Sequence, residues 1–113
     1  MNEYINFLDE TIEGLKKEEE KLIRANRKDE ANFVRVKSNI CDICRTMYQV
    51  SAKSKSGEEL KEEYIRKLTK LLENWKISLE KAREHGDIEK IIVEETKLEI
   101  LQRLKTKFEE TGV

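Results

Sequence analysis

Apolar residues recur along this chain at steps of three and four, the spacing that lines one face of a helix. From Asn2 to Ala25 the stripe runs through Ile5, Leu8, Ile12, Leu15 and Leu22, with one step of seven bridging Glu19. From Asp29 to Ala52 it runs through Phe33, Val36, Ile40, Ile43, Met47 and Val50, and Cys44 and Tyr48 widen the same face. A polar run, Ser54-Lys55-Ser56-Gly57, follows and reads as a loop in which Ser56 or Gly57 caps the next helix. The third segment, Glu58 to His85, stripes through Leu60, Tyr64, Leu68, Leu71, Leu72, Trp75, Leu79 and Ala82. Gly86 suits a left-handed helix end, and Asp87 is a good N-cap for a fourth segment reaching about Glu110. Gly112 marks the last stop.

The boundary between the first two segments has neither Gly nor Pro, so the stripes alone also allow one helix of about 50 residues. That arrangement would complete a bundle only by exchange between subunits. Shifting the chain by 60 positions favours a turn, against the alternative that two in-phase amphipathic stripes match at apolar positions by chance, and leaves open whether the first hairpin is closed. It lays Tyr4-Ile5 on Tyr64-Ile65, Leu8 on Leu68, Ile12 on Leu72 and Leu15 on Trp75. Beyond the boundary it lays Phe33 on Val93, Lys37 on Lys97, Ile40 on Ile100 and Tyr48 on Phe108. At the boundary itself Asn26 falls on Gly86, and these residue types most readily accept positive φ. The chain therefore reads as two similar helical hairpins, about 2–53 and about 58–110, joined by loop 54–57. Helices of this length, roughly 35–40 Å, cannot bury their stripes alone, and the predicted fold is a single all-α domain: an antiparallel four-helix bundle.

Composition fits that reading. Of 113 residues, 42% are charged, 6% are aromatic and none is proline, which disfavours a turn-rich sheet. A net charge of −1 and regular apolar spacing argue against disorder. There is no apolar run of the roughly 20 residues a membrane span needs, and Met1-Asn2-Glu3 does not open a signal peptide. The expected location is the cytoplasm, and the Lys/Ile/Glu-rich usage suggests a bacterium with an AT-rich genome.

The fourth segment departs from the single-stripe pattern. Ile88, Ile91 and Ile92 point one way around its axis, and Val93, Ile100, Leu104 and Phe108 another. A helix apolar on more than one side is usually covered on more than one side. Ile88, Ile91, Ile92, Leu98 and Leu101 are therefore candidates for a subunit interface, against the plainer account of a local shift in packing. A homodimer that works by binding is the expectation, with no enzyme activity, no cofactor, no membrane and no nucleic acid.

Cys41-Asp42-Ile43-Cys44 places two thiols at i and i+3 on one helix face, half of a tetrahedral zinc site or a redox pair. The 60-residue shift lays Cys41 on Leu101 and Cys44 on Leu104, so plain packing is the preferred reading. A four-thiolate site would need two chains. His85 stands alone in a last helical turn, where its charge suits the dipole, and no nucleophile pairs with it. Tyr4, Tyr64 and Trp75 fall on the stripes as anchors of a core or an interface. Phe7 falls off its stripe, as a surface aromatic open to a partner or as part of a frayed end.

Charge is unevenly spread. Residues 1–20 hold two lysines against seven acids, whereas Lys21 to Ser56 holds nine Lys/Arg against three acids, a balance of +6. Arg24, Arg27, Lys28 and Arg35 are the candidate basic face, for an acidic partner or a nucleic acid. The alternative, preferred here because no aromatic residue interleaves with them, is that the basic second segment lies against the acidic first.

One acidic pattern, Glu58-Glu59-Leu60-Lys61-Glu62 followed by Glu84-His85-Gly86-Asp87, resembles the magnesium-binding signature of small all-α nucleotide pyrophosphatases of the MazG type. The resemblance is confined to that motif. It implies Mg²⁺ held by Glu58, Glu59, Glu62, Glu84 and Asp87 against a triphosphate. A continuous third helix would set Glu62 and Glu84 about 33 Å apart, which counts against it.

Overall fold

The computed structural model describes residues 2–111 and contains four helices: α1 (Glu3–Arg24), α2 (Lys28–Ala52), α3 (Gly57–His85) and α4 (Ile88–Thr111). α1 packs mainly on α2, α3 on α4, and the two hairpins meet along α2 and α4. Gly112 lies outside the described residues. Among those described, no helix is long and apolar enough to cross a membrane.

The two turns are built alike. Asn26 has φ 61° and Gly86 φ 65°. Asn26 N–H donates to the Ile23 carbonyl at 3.0 Å and Arg27 N–H to that of Leu22 at 2.8 Å. In the second hairpin Gly86 N–H donates to Arg83 at 3.1 Å and Asp87 N–H to Ala82 at 3.2 Å. Each is a Schellman closure, in which one left-handed residue lets the next amides satisfy carbonyls the helix end leaves open. The first hairpin is thus closed within the chain.

Capping differs between elements. The Asn2 side chain accepts from Ile5 N–H at 3.1 Å and also donates to the Tyr48 hydroxyl, so it fixes the start of α1 to α2. Asp87 accepts from Lys90 N–H at 3.1 Å, as its sequence position predicts. Ser56 is the residue before α3 but makes no side-chain cap bond, which corrects that expectation. Its loop is held instead by Lys55, whose Nζ lies 3.2 Å from Glu63 Oε1.

The core is concentrated at the end of the bundle away from the turns. Tyr4, Tyr48, Tyr64 and Phe108, one from each helix, form a ring cluster in which every pair meets edge to face. Such pairs add about 0.5–1.5 kcal/mol each beyond burial. Exchanging the hairpins maps the cluster onto itself: Tyr4–Phe108 at 4.9 Å becomes Tyr64–Tyr48 at 5.3 Å, while Tyr4–Tyr64 and Tyr48–Phe108 map onto themselves. The bundle therefore has an approximate two-fold axis. Neighbours are antiparallel within a hairpin, and α2 and α4 run in the same direction.

On α2 the buried face is not the expected stripe. Ala31, Val34, Ser38, Cys41, Cys44, Tyr48 and Ser51 are buried together with Ile40, whereas Ile43 and Val50 are 42% and 52% exposed. α4 buries the corresponding Leu101, Leu104 and Phe108. Small Ser, Ala and Cys side chains let α2 approach its neighbours closely, and this register places the larger Ile43 and Val50 outside.

A candidate interaction groove between α2 and α4

Toward the turns the core thins. Ala31 and Val34 of the first hairpin and Leu79 and Ala82 of the second are buried, but no aromatic cluster fills the space between hairpins. The result is a groove of about 540 Å³ between the first halves of α2 and α4. Phe33 and Val36 form one wall and Ile92 and Val93 the other, with Ile88, Asp29 and Glu89 also lining it. Ile88 is 73% exposed and Ile92 43% exposed. Two helices present opposing apolar residues there, and only residues of α2 and α4 line the groove.

The other interface candidates divide. Ile91 and Leu98 are half-buried, with Leu98 against the core. Leu101 is fully buried inside the chain and leaves the candidate surface altogether. Its neighbour Leu104 is equally enclosed, so the two-sided pattern of α4 arises in part because one side faces α2 and α3 within the same molecule.

Cys41 and Cys44 are free and fully buried, in the positions that Leu101 and Leu104 occupy in the other hairpin. Burial pushes the thiol of Cys41 up to about 11 and that of Cys44 up to about 12. The thiolate, the form that attacks disulfides or binds metal, is disfavoured there. Among the described residues no group of three His, Cys, Asp or Glu side chains is placed to hold a metal ion.

The acidic motif is dispersed. α3 is continuous from Gly57 to His85, so Glu58, Glu59 and Glu62 stand near its start and Glu84 at its far end, all of them exposed. Asp87 is occupied in capping α4. His85 is exposed, with Nδ1 2.7 Å from the Lys81 carbonyl of its own last turn.

The basic candidates are largely matched by acids. Arg35 reaches Glu19 at 2.8 Å and Arg45 reaches Asp9 at 2.6 Å, both from α2 to α1. The basic second segment does lie against the acidic first. Arg24 pairs with Glu20 at 3.9 Å and Arg27 with Glu30, whereas Lys28 has no ion pair among the described residues. Phe7 is half-buried with Lys107 Nζ 5.1 Å from its ring centre, so it is packed rather than frayed.

Sequence reasoning missed three buried polar positions. Ser51 accepts from Lys67 Nζ at 2.8 Å, joining the end of α2 to α3. Bonding to the Ser51 hydroxyl, and then to Lys55, holds the nearby Glu63 carboxyl below its usual range. Ser38 lies on the buried face of α2. Glu94 is buried on α4 with Lys97 3.3 Å away, and Lys97 also sits 4.6 Å over the Trp75 ring. The only signal for this last group was the i,i+3 spacing of Glu94 and Lys97. Compared with known proteins, the chain matches no family model, no curated protein and no solved structure.

Proposed function

We propose that this is a non-enzymatic protein-interaction module, self-association included, which docks apolar side chains of another polypeptide in the groove between α2 and α4. The observation that carries the reading is the exposure of Ile88 and Ile92 beside Phe33, Val36 and Val93 at one end of the bundle. The other end closes around its aromatic cluster. A photo-crosslinking amino acid at position 92, compared with one at Lys70 on α3, tests it in cells. Protein adducts from position 92 and none from position 70 are expected. An absence of adducts from position 92 would overturn the reading. Thiol redox and metal chemistry are not favoured by the enclosed, protonated state of Cys41 and Cys44.

A further inference from the structure

We infer that the groove end of the bundle pairs with the same end of a second copy, turned so that the basic tip of one hairpin lies on the acidic tip of the other. This inference rests on the interaction reading and names the partner. The two hairpin tips are built to one backbone plan, yet three of their charged positions are reversed. Arg24 corresponds to Glu84, Arg27 to Asp87 and Glu30 to Lys90. Glu20/Glu80 and Lys21/Lys81 keep their sign, and Arg83, where hairpin one has Ile23, is paired with Glu80 and Glu95 of its own hairpin. Asp29 and Glu89 keep the same sign close to the groove.

Approximate two-fold symmetry along the bundle gives two simple ways to set a second copy end to end. One places like tips together, Arg24 and Arg27 against their own copies. The other places Arg24 and Arg27 of one chain against Glu84 and Asp87 of the next, and repeats that contact on the far side of the axis. Only the second is complementary, and it closes as a two-fold dimer in which each chain supplies both halves.

Present partners do not oppose this exchange. Arg24–Glu20 and Arg27–Glu30 are pairs between side chains more than half exposed, which hold little free energy. Glu84 and Lys90 form no ion pair among the described residues. Arg27 precedes α2 without making a cap bond, where its counterpart Asp87 makes one. What the local helix gains from an arginine there is the exposed pair with Glu30 rather than a cap. An end-to-end contact of this size is small, so an affinity on the order of micromolar is expected, weakening with salt.

Sedimentation of the purified protein over a wide concentration range tests the pairing. A dimer is expected at high concentration, with a dissociation constant raised at least tenfold by the Arg24→Glu/Arg27→Asp variant. The Glu84→Arg/Asp87→Arg variant should be weakened as much. Circular dichroism checks that each remains helical. The decisive result is the equimolar mixture of the two variants, in which a heterodimer should reappear. A wild-type monomer at every concentration overturns the inference, as does a dimer indifferent to both reversals or a mixture that fails to associate. If a wild-type monomer coincides with crosslinks from position 92 to a different protein, the self-pairing falls while the interaction reading survives.

Discussion

The two hairpins use one design with different chemistry at each shared position. Hairpin one turns on Asn26, precedes α2 with Arg27 and fills its core with Cys41, Cys44 and Tyr48. Hairpin two turns on Gly86, caps α4 with Asp87 and fills the same places with Leu101, Leu104 and Phe108. At the turn, at the start of its second helix and in the core the second is the better-made hairpin, whereas at the first helix the advantage is reversed, since Asn2 caps α1 and Ser56 makes no cap bond to α3. Glycine takes positive φ without strain, aspartate caps, and leucine buries more apolar surface than cysteine. Hairpin one has two ion pairs between its helices, Arg35–Glu19 and Arg45–Asp9, where hairpin two has Arg83–Glu95.

The largest effects should come from that cluster. Tyr64→Ala should cost about 3–5 kcal/mol in a denaturant titration. The finer comparison is between the equivalent tyrosines. The hydroxyls of Tyr4 and Tyr64 lie 2.7 Å apart, and Tyr64 donates to the Cys44 carbonyl at 3.0 Å. Tyr64→Phe leaves the buried Tyr4 hydroxyl without a partner and should cost about 1–3 kcal/mol. Tyr4→Phe leaves the Tyr64 donation intact and should cost about 0.5–1.5 kcal/mol. Equal losses would show that the Tyr64 hydroxyl does not bridge the hairpins.

The turns come next. A Cβ at Gly86 meets no atom within 4 Å, so Gly86→Ala carries only the cost of positive φ, about 1–2 kcal/mol. Gly86→Asn should recover most of that loss, since Asn26 already occupies the matching place in hairpin one. Thermal unfolding of the two variants separates backbone strain from any loss of contact.

These turns were legible in the sequence because positive φ restricts residue choice, and Asn26 against Gly86 is a coincidence of chemistry rather than of hydropathy. The buried face of α2 was harder to read. Counting apolar residues favours Ile43, Met47 and Val50, yet close helix approach selects Ser38, Cys41, Cys44 and Ser51. The signal was present in the repeat, which lays the cysteines on Leu101 and Leu104. The groove was not legible, because Phe33, Val36 and Val93 read as ordinary core positions. That they stay half-buried depends on how the hairpins pack toward their tips.

The cysteines give a smaller test. Cys41→Leu with Cys44→Leu makes hairpin one resemble hairpin two and should change stability at neutral pH by less than about 1.5 kcal/mol. The pH profile should change in a definite direction. A thiol whose ionisation is raised from 9.0 to about 11 or about 12 in the folded state ionises first in the unfolded one. The thiols' contribution to stability is therefore level below pH 9 and falls as pH rises through the window between those values. The leucine variant should lose stability less steeply there, with the buried Tyr4 and Tyr64 hydroxyls, also raised, supplying the remainder. An unchanged alkaline slope would show that the thiols are not enclosed.

Smallest in stability, and sharpest in meaning, is Arg27→Asp. It gives α2 the cap that α4 already has and should raise stability by about 0.5–1 kcal/mol in thermal unfolding. The same change removes a positive charge from the tip that faces Glu84 and Asp87 in the pairing inferred above, so self-association should weaken as the fold strengthens. A residue with no role beyond its own helix would not divide the two measurements in that way, because a better cap would leave assembly unchanged. Opposite signs in unfolding and sedimentation, from one side chain, would identify Arg27 as a position where hairpin one gives up local stability for contact with a second chain.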